Sequence, residues 1–216
     1  MPETLALSTP WPARAALAGQ HAVTTVDSDG TIGVDLSEQP VRHMLLVMAR
    51  PGMSRATMET IQSITGLALP ETPRRVANPH AAAVWSGFEQ WLVMSEEEDA
   101  HLMITGLTAA LTGKASCSEQ TDGRVVLRLS GPRARRALMK LVGIDVHPAA
   151  FPIGAAAMTP VAHIPCHLWR LDDAAGAPVY EIAGPQSSAG SLWHAIVAAA
   201  SELGLVARPA QPAIAK

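Results

Sequence analysis

Residues 123–154, GRVVLRLSGPRARRALMKLVGIDVHPAAFPIG, constrain the fold more than any other stretch of this chain. Val125, Leu127 and Leu129 alternate with Arg124, Val126 and Arg128, the period of a half-buried strand with the first set on the core side. Ser130-Gly131-Pro132 then makes a tight turn, and Pro132 suits a first helical turn because its missing amide has no partner to lose there. A basic helix, Arg133–Val142, follows and buries Leu138, Leu141 and Val142. After it comes an irregular stretch, Asp145-Val146-His147-Pro148 to Phe151-Pro152. No step of this run requires a nucleophile or a metal.

The rest of the chain alternates in the same way. His43–Met48 reads as a strand and Ser54–Ile64 as a helix with a weak apolar face of Thr57, Ile61 and Ile64. Ala81–Trp85 and Gln90–Met94 form a hairpin around Ser86–Glu89. Ser95-Glu96-Glu97-Glu98 reads as a capping box, with Ser95 accepting from the third helical amide and Glu98 reaching back. The helix it starts has Ala100, Met103, Ile104, Leu107, Ala110 and Leu111 on one face and ends at Gly113. In the second half, Thr159–Trp169 reads as an edge strand or a broken one, because Pro160 and Pro165 interrupt its ladder. Asp172–Ala177 is a turn and Val179–Ile182 a strand. Ser187–Leu203 is a helix with Leu192, Trp193, Ile196 and Leu203 in one stripe, and Leu205–Ala207 adds a final edge strand.

These elements predict an α+β fold of two pseudo-repeated ferredoxin-like βαββαβ lobes, about 43–120 and 121–206. Residues 1–42 and 207–216, rich in Pro, Ala and small polar residues, read as an N-terminal arm and a C-terminal tail.

Charged residues are only 16% of the 216, against about 25% in ordinary globular domains. A shortage of surface charge points to surface covered by a partner, with an alanine-rich composition as the plainer explanation. A net charge of −3 and a pI near 6.2 give no electrostatic footprint for nucleic acid. No apolar run reaches the roughly 18–20 residues of a membrane span. Pro10, Trp11 and Pro12 interrupt the N-terminus too early for a signal peptide, so Cys117 and Cys166 read as free thiols in a reducing cytoplasm.

Candidate chemistry is sparse. His163, Cys166 and His167 invite a zinc reading, but three ligands on one strand cannot close a tetrahedral site, and structural histidines are the better reading. The Ser130-Gly131-Pro132 turn lacks the lysine and glycine spacing of a phosphate loop, and Ser130 lacks a nucleophile elbow. Asp172-Asp173 fits turn chemistry. Arg133, Arg136 and Lys140 share a helix face, read either as solvated or as meeting an acidic partner. The tryptophans read as core, except that Trp193 is a candidate interface anchor. No active site emerges.

One combination is more specific than its parts. It runs from Trp85…Gly87…Trp91-Leu92 through Leu129-Ser130-Gly131-Pro132…Ala134-Arg135 to Asp145…His147-Pro148…Phe151-Pro152. It then continues to Ala162-His163…Leu168-Trp169 and Ser191-Leu192-Trp193. This order resembles the gamma subunits of heterotetrameric sarcosine oxidase over about residues 43–204. The chain departs from that pattern at Gly87-Phe88-Glu89-Gln90-Trp91-Leu92, where a Gly-Pro-Asp-Glu-Trp-Leu type is expected, and in the segment before Arg124.

The resemblance implies a fold related to folate-binding aminomethyltransferases. It also implies a cytoplasmic complex with alpha, beta and delta chains, the contact being mainly with alpha. NAD and folate are expected on alpha, FAD on beta, FMN between alpha and beta, and zinc on delta. The complex would oxidise sarcosine to glycine with hydrogen peroxide and formaldehyde or methylene-tetrahydrofolate. This chain would itself carry no cofactor and no catalytic residue. Candidate interface residues are Arg133, Arg136, Lys140, His147, Phe151 and Trp193. Alternatives are a complex acting on another N-methyl amine and a free-standing folate-binding one-carbon protein.

Overall fold

The computed structural model describes residues 15–97 and 99–210. The strands are β1 (Val23–Thr24), β2 (Val34–Glu38), β3 (His43–Ala49), β4 (Arg75–Ala77), β5 (Ala82–Gly87), β6 (Gln90–Ser95), β7 (Ala115–Glu119), β8 (Arg124–Ser130), β9 (Ala156–Val161), β10 (Ile164–Ala174), β11 (Ala177–Pro185) and β12 (Leu205–Arg208). The helices are α1 (Ser54–Thr65), α2 (Ala100–Ala110), α3 (Ala134–Met139) and α4 (Ala189–Ala200).

Two sheets stack face to face between two helix layers. The five-stranded sheet runs β4-β5-β6-β3-β7, with α1 and α2 on its outer side. Its four main strands, β7-β3-β6-β5, have the order and antiparallel pairing of a ferredoxin-like βαββαβ unit. The seven-stranded sheet runs β1-β12-β2-β8-β11-β10-β9, with α3 and α4 on its outer side. Removing β2 leaves β12-β8-β11-β10, the same order again. The α+β fold of two pseudo-repeated lobes is therefore what the chain adopts.

The alternation in β8 explains how the sheets stack. Val125, Leu127 and Leu129 face α3 and α4, as the sequence implies. Val126 points the other way but does not meet solvent. It joins Met44, Val84, Leu92, Met94, Trp169 and Ala183 in a third core between the sheets. Both faces of the central strands are thus apolar, as sheet-on-sheet packing requires.

The first correction concerns the N-terminal region. Val34 and Leu36 are buried, and β2 pairs with β8 on one side and β12 on the other. The segment read as an arm thus holds a central strand, and β12 is interior, with β1 at the sheet edge. Three glycines make room for the inserted strand. A side-chain carbon on Gly131 would lie 2.6 Å from the Gly33 carbonyl oxygen, and one on Gly204 would lie 2.0 Å from that of Thr31. The amides of Gly33 and Val34 donate to Gly204, and that of Arg133 to Gly33. The Ser130-Gly131-Pro132 turn thus lets a backbone pass close beside it.

The second correction is the stretch read as one strand over 159–169. Ala162 and His163 both have positive φ and form a two-residue hairpin turn between β9 and β10. Pro160 lies opposite Pro165, with β9 at the edge, so the broken-strand option holds.

Other differences are local. Ile64 is exposed and Thr65 takes its place on the buried face of α1. The basic helix is shorter, Ala134–Met139, because Val142 leaves to bridge Val161. Ser95 belongs to β6, where its hydroxyl donates to the His80 carbonyl and accepts from the Glu97 amide, so it does not cap α2. Its expected partner Glu98 lies outside the described residues.

Candidate functional site

The densest polar cluster lies in the seam between the sheets. Glu181 on β11 is 1% exposed, yet it is an ion. Arg42, just before β3 of the other sheet, donates to both carboxylate oxygens at 2.6 and 2.7 Å. Arg128 on β8 adds two bonds, 2.6 and 3.1 Å, and the Trp169 indole adds one at 2.9 Å. Burial alone favours the neutral acid, but the Arg42 and Arg128 guanidiniums outweigh it and hold Glu181 below the usual carboxylate range. Five donors on two oxygens leave no lone pair for a substrate proton.

A cleft of about 340 Å³ opens beside this cluster, lined by Arg42, Arg75, His80, Met94, Ser95 and Glu96. Arg42 Nε approaches Glu96 at 2.5 Å, out of line for a hydrogen bond. The cleft therefore sits over an ion-pair lock, and exposed His80 pairs with Glu97 at 2.6 Å along its lining.

A second pair has the look of catalytic chemistry. Ser86 Oγ on β5 lies 2.8 Å from His167 Nε2 on β10. His167 is 1% exposed, and burial, helped by nearby Arg124, lowers its pKa to about 4. Its Nδ1 is buried without a hydrogen-bond partner among the described residues. A working nucleophile–base pair needs a third group at that nitrogen and a path for substrate. This contact joins the two sheets, with Ser86 half-buried and His167 buried.

The zinc reading separates spatially. His163 sits in the β9–β10 turn, Cys166 faces the α3–α4 core and His167 faces the other sheet. Among the described residues no group of three metal-ligating side chains converges. Cys166 is fully buried and its pKa is pushed up to about 11 by burial.

The six expected interface residues divide. Phe151 and Trp193 are 4% and 1% exposed and belong to the core under α3 and α4, so neither side chain is presented to another chain. The irregular segment around Phe151 folds onto its own protein: Val146 is buried in the same core, the Phe151 carbonyl accepts from Arg170, and Arg74 bridges Ala155. Arg133 pairs with Asp27, and Lys140 bonds the Ala199 carbonyl and Glu202. Arg136 and His147 are exposed.

Sequence reasoning missed the Arg42–Glu181–Arg128 cluster, because its members lie on elements far apart in the chain. It also missed a groove of about 630 Å³ on the opposite side of the smaller sheet, between α1 and the β5–β6 hairpin.

Comparison with known proteins places this architecture. Residues 84–210 match the family of GCVT N-terminal domains. The aminomethyltransferase T of the glycine cleavage system from Bartonella henselae shares the fold, with a TM-score of 0.56 at 14% identity over 77% of this chain and 46% of that one. The duplicated lobes around a filled seam thus define a protein of the aminomethyltransferase-like fold.

Within that class the relatives are specific. Sarcosine oxidase subunit gamma from Arthrobacter sp. is 32% identical over 155 residues, 70% of this chain and 74% of that protein. The subunit gamma of Corynebacterium sp. strain U-96 is 31% identical over 72% of this chain and 70% of its own length. A chain in the structure of heterotetrameric sarcosine oxidase from Corynebacterium sp. U-96, in complex with pyrrole 2-carboxylate, superposes with a TM-score of 0.69. It is 29% identical and covers 78% of this chain and 84% of that one. The chain belongs to the sarcosine oxidase gamma subunit family.

Proposed function

We propose that this chain is a structural, non-catalytic subunit of a cytoplasmic heterotetrameric sarcosine oxidase, held mainly by alpha and assembled with beta and delta. The observation that carries this reading is the similarity to named gamma subunits over some 70% of both partners. Two observations support the non-catalytic part: the buried carboxylate is saturated by donors, and His167 of the Ser86–His167 pair has no orienting partner at Nδ1 among the described residues. In this reading FAD, FMN, NAD and zinc reside on the other subunits. The complex then converts sarcosine to glycine, and this chain contributes shape.

The test is co-expression with the alpha, beta and delta chains of a heterotetrameric sarcosine oxidase. A stable assembly that oxidises sarcosine, and loses yield or stability when this chain is omitted, is the expected result. A chain that stays alone in the presence of the other three would overturn the reading.

A further inference from the structure

The groove between α1 and the β5–β6 hairpin does not belong to the seam. Its wall is built from Met58, Trp85, Phe88 and Trp91. Phe88 is 83% exposed, more than any other large hydrophobic residue of the described chain. The hairpin turn holds it there: Gly87 and Glu89 both have positive φ, and the Glu89 carbonyl accepts from Ala49. Trp91 beneath is fixed by its indole bond to the Pro70 carbonyl, so the floor is rigid. A rigid aromatic floor with a projecting aromatic at its lip is the form of a binding hot spot.

The rim decides the occupant. Glu59, Glu71 and Glu89 line it, and the one cation lining it among the described residues, Arg55, is already paired with Glu59 at 2.8 Å. The excess negative charge repels a carboxylate-bearing small molecule. Nor do polar groups converge on the floor to orient a small ligand. An apolar side chain flanked by lysine or arginine satisfies both floor and rim.

We infer that this groove receives a segment of another subunit of the complex, carrying an aliphatic or aromatic anchor next to basic residues. The inference rests on the proposed assembly and names the face that enters it. It replaces the α3 face, where Arg133 and Lys140 are already engaged within the chain.

The experiment uses the four co-expressed chains with this chain wild type, Phe88→Ser, Glu89→Lys or, on α3, Arg136→Ala with Met139→Ala. Phe88 is solvent-exposed, so its substitution leaves the fold intact, which circular dichroism checks. Retention of this chain is measured by titrating it against the other three. The expected result is binding weakened about 30-fold by Phe88→Ser, the loss of one hot spot. Glu89→Lys should weaken binding and lower its salt dependence, and the α3 double variant should bind as wild type. Wild-type binding by both groove variants would overturn the inference and leave the assembly standing. So would loss confined to the α3 variant, or a groove-dependent self-association in sedimentation. Failure of the wild-type chain to bind would overturn both.

Discussion

Arg42, just before β3 of the smaller sheet, and Glu181, on the interior strand β11 of the larger one, form a bidentate ion pair of 2.6 and 2.7 Å inside the seam, with both side chains at most 4% exposed. Removing one partner of such a pair strands a buried charge, at a cost of about 3–5 kcal/mol. Arg42→Met should therefore lower the unfolding free energy by about 3 kcal/mol, the lower end, because Arg128 and Trp169 remain on Glu181. Arg42→Met with Glu181→Leu should cost clearly less than the sum of the single changes. Urea unfolding measures both, and strictly additive costs would show the pair to be uncoupled. The sign with pH follows. Glu181 is held low, so its contribution is complete above the unfolded value near 4.3 and is lost as pH falls through the lower folded value.

His167 gives a second pH dependence in a different window. Its folded pKa of about 4 lies below the unfolded value near 6.5, so the unfolded chain binds a proton first as pH drops. Stability should be constant above pH 6.5 and fall by roughly 3 kcal/mol towards pH 4. His167→Gln should flatten that limb. A histidine-free limb of the same slope would assign it elsewhere.

The two thiols should be chemically distinct. Cys166 is buried and its pKa is raised to about 11, whereas Cys117 is half-buried with a smaller rise from burial. A thiol reagent at pH 8 should label Cys117 slowly in the folded chain and Cys166 only after denaturant is added. Mass mapping of the label would reveal equal labelling if the core opened readily.

Two glycine substitutions should have opposite signs. Gly131→Ala forces a side chain to within 2.6 Å of Gly33 at a φ of +113°, and should destabilise by about 2 kcal/mol or more. Gly106 lies exposed inside α2 with nothing within 4 Å, so Gly106→Ala should stabilise by about 0.5–1 kcal/mol. Thermal unfolding of both variants checks the pair.

Where local pattern and tertiary role coincide, the fold was legible. The α4 stripe of Leu192, Trp193 and Ile196 and the alternation in β8 led directly to the helix and strand. The β2 strand did not declare itself, because VDLSE offers only two apolar residues and its burial comes from neighbours remote in sequence. The Ala162–His163 turn was hidden because neither residue is the Asn-Gly type that signals positive φ. Phe151 and Trp193 look like surface anchors by residue type, yet packing places them inside. The groove was out of reach, since its floor comes from three separate segments.

The position of β2 also sets an order of events during synthesis. Val34–Glu38 leaves the ribosome before either strand it pairs with, and Leu205 follows its partner Val34 by nearly the whole body of the protein. The smaller sheet, built from the continuous run His43–Glu119, can close while β2 still waits. The larger sheet cannot close until residues 205–208 arrive to flank β2. The first lobe is thus a finished platform while the second remains open, and the slowest closure, with its large sequence separation, falls at the end.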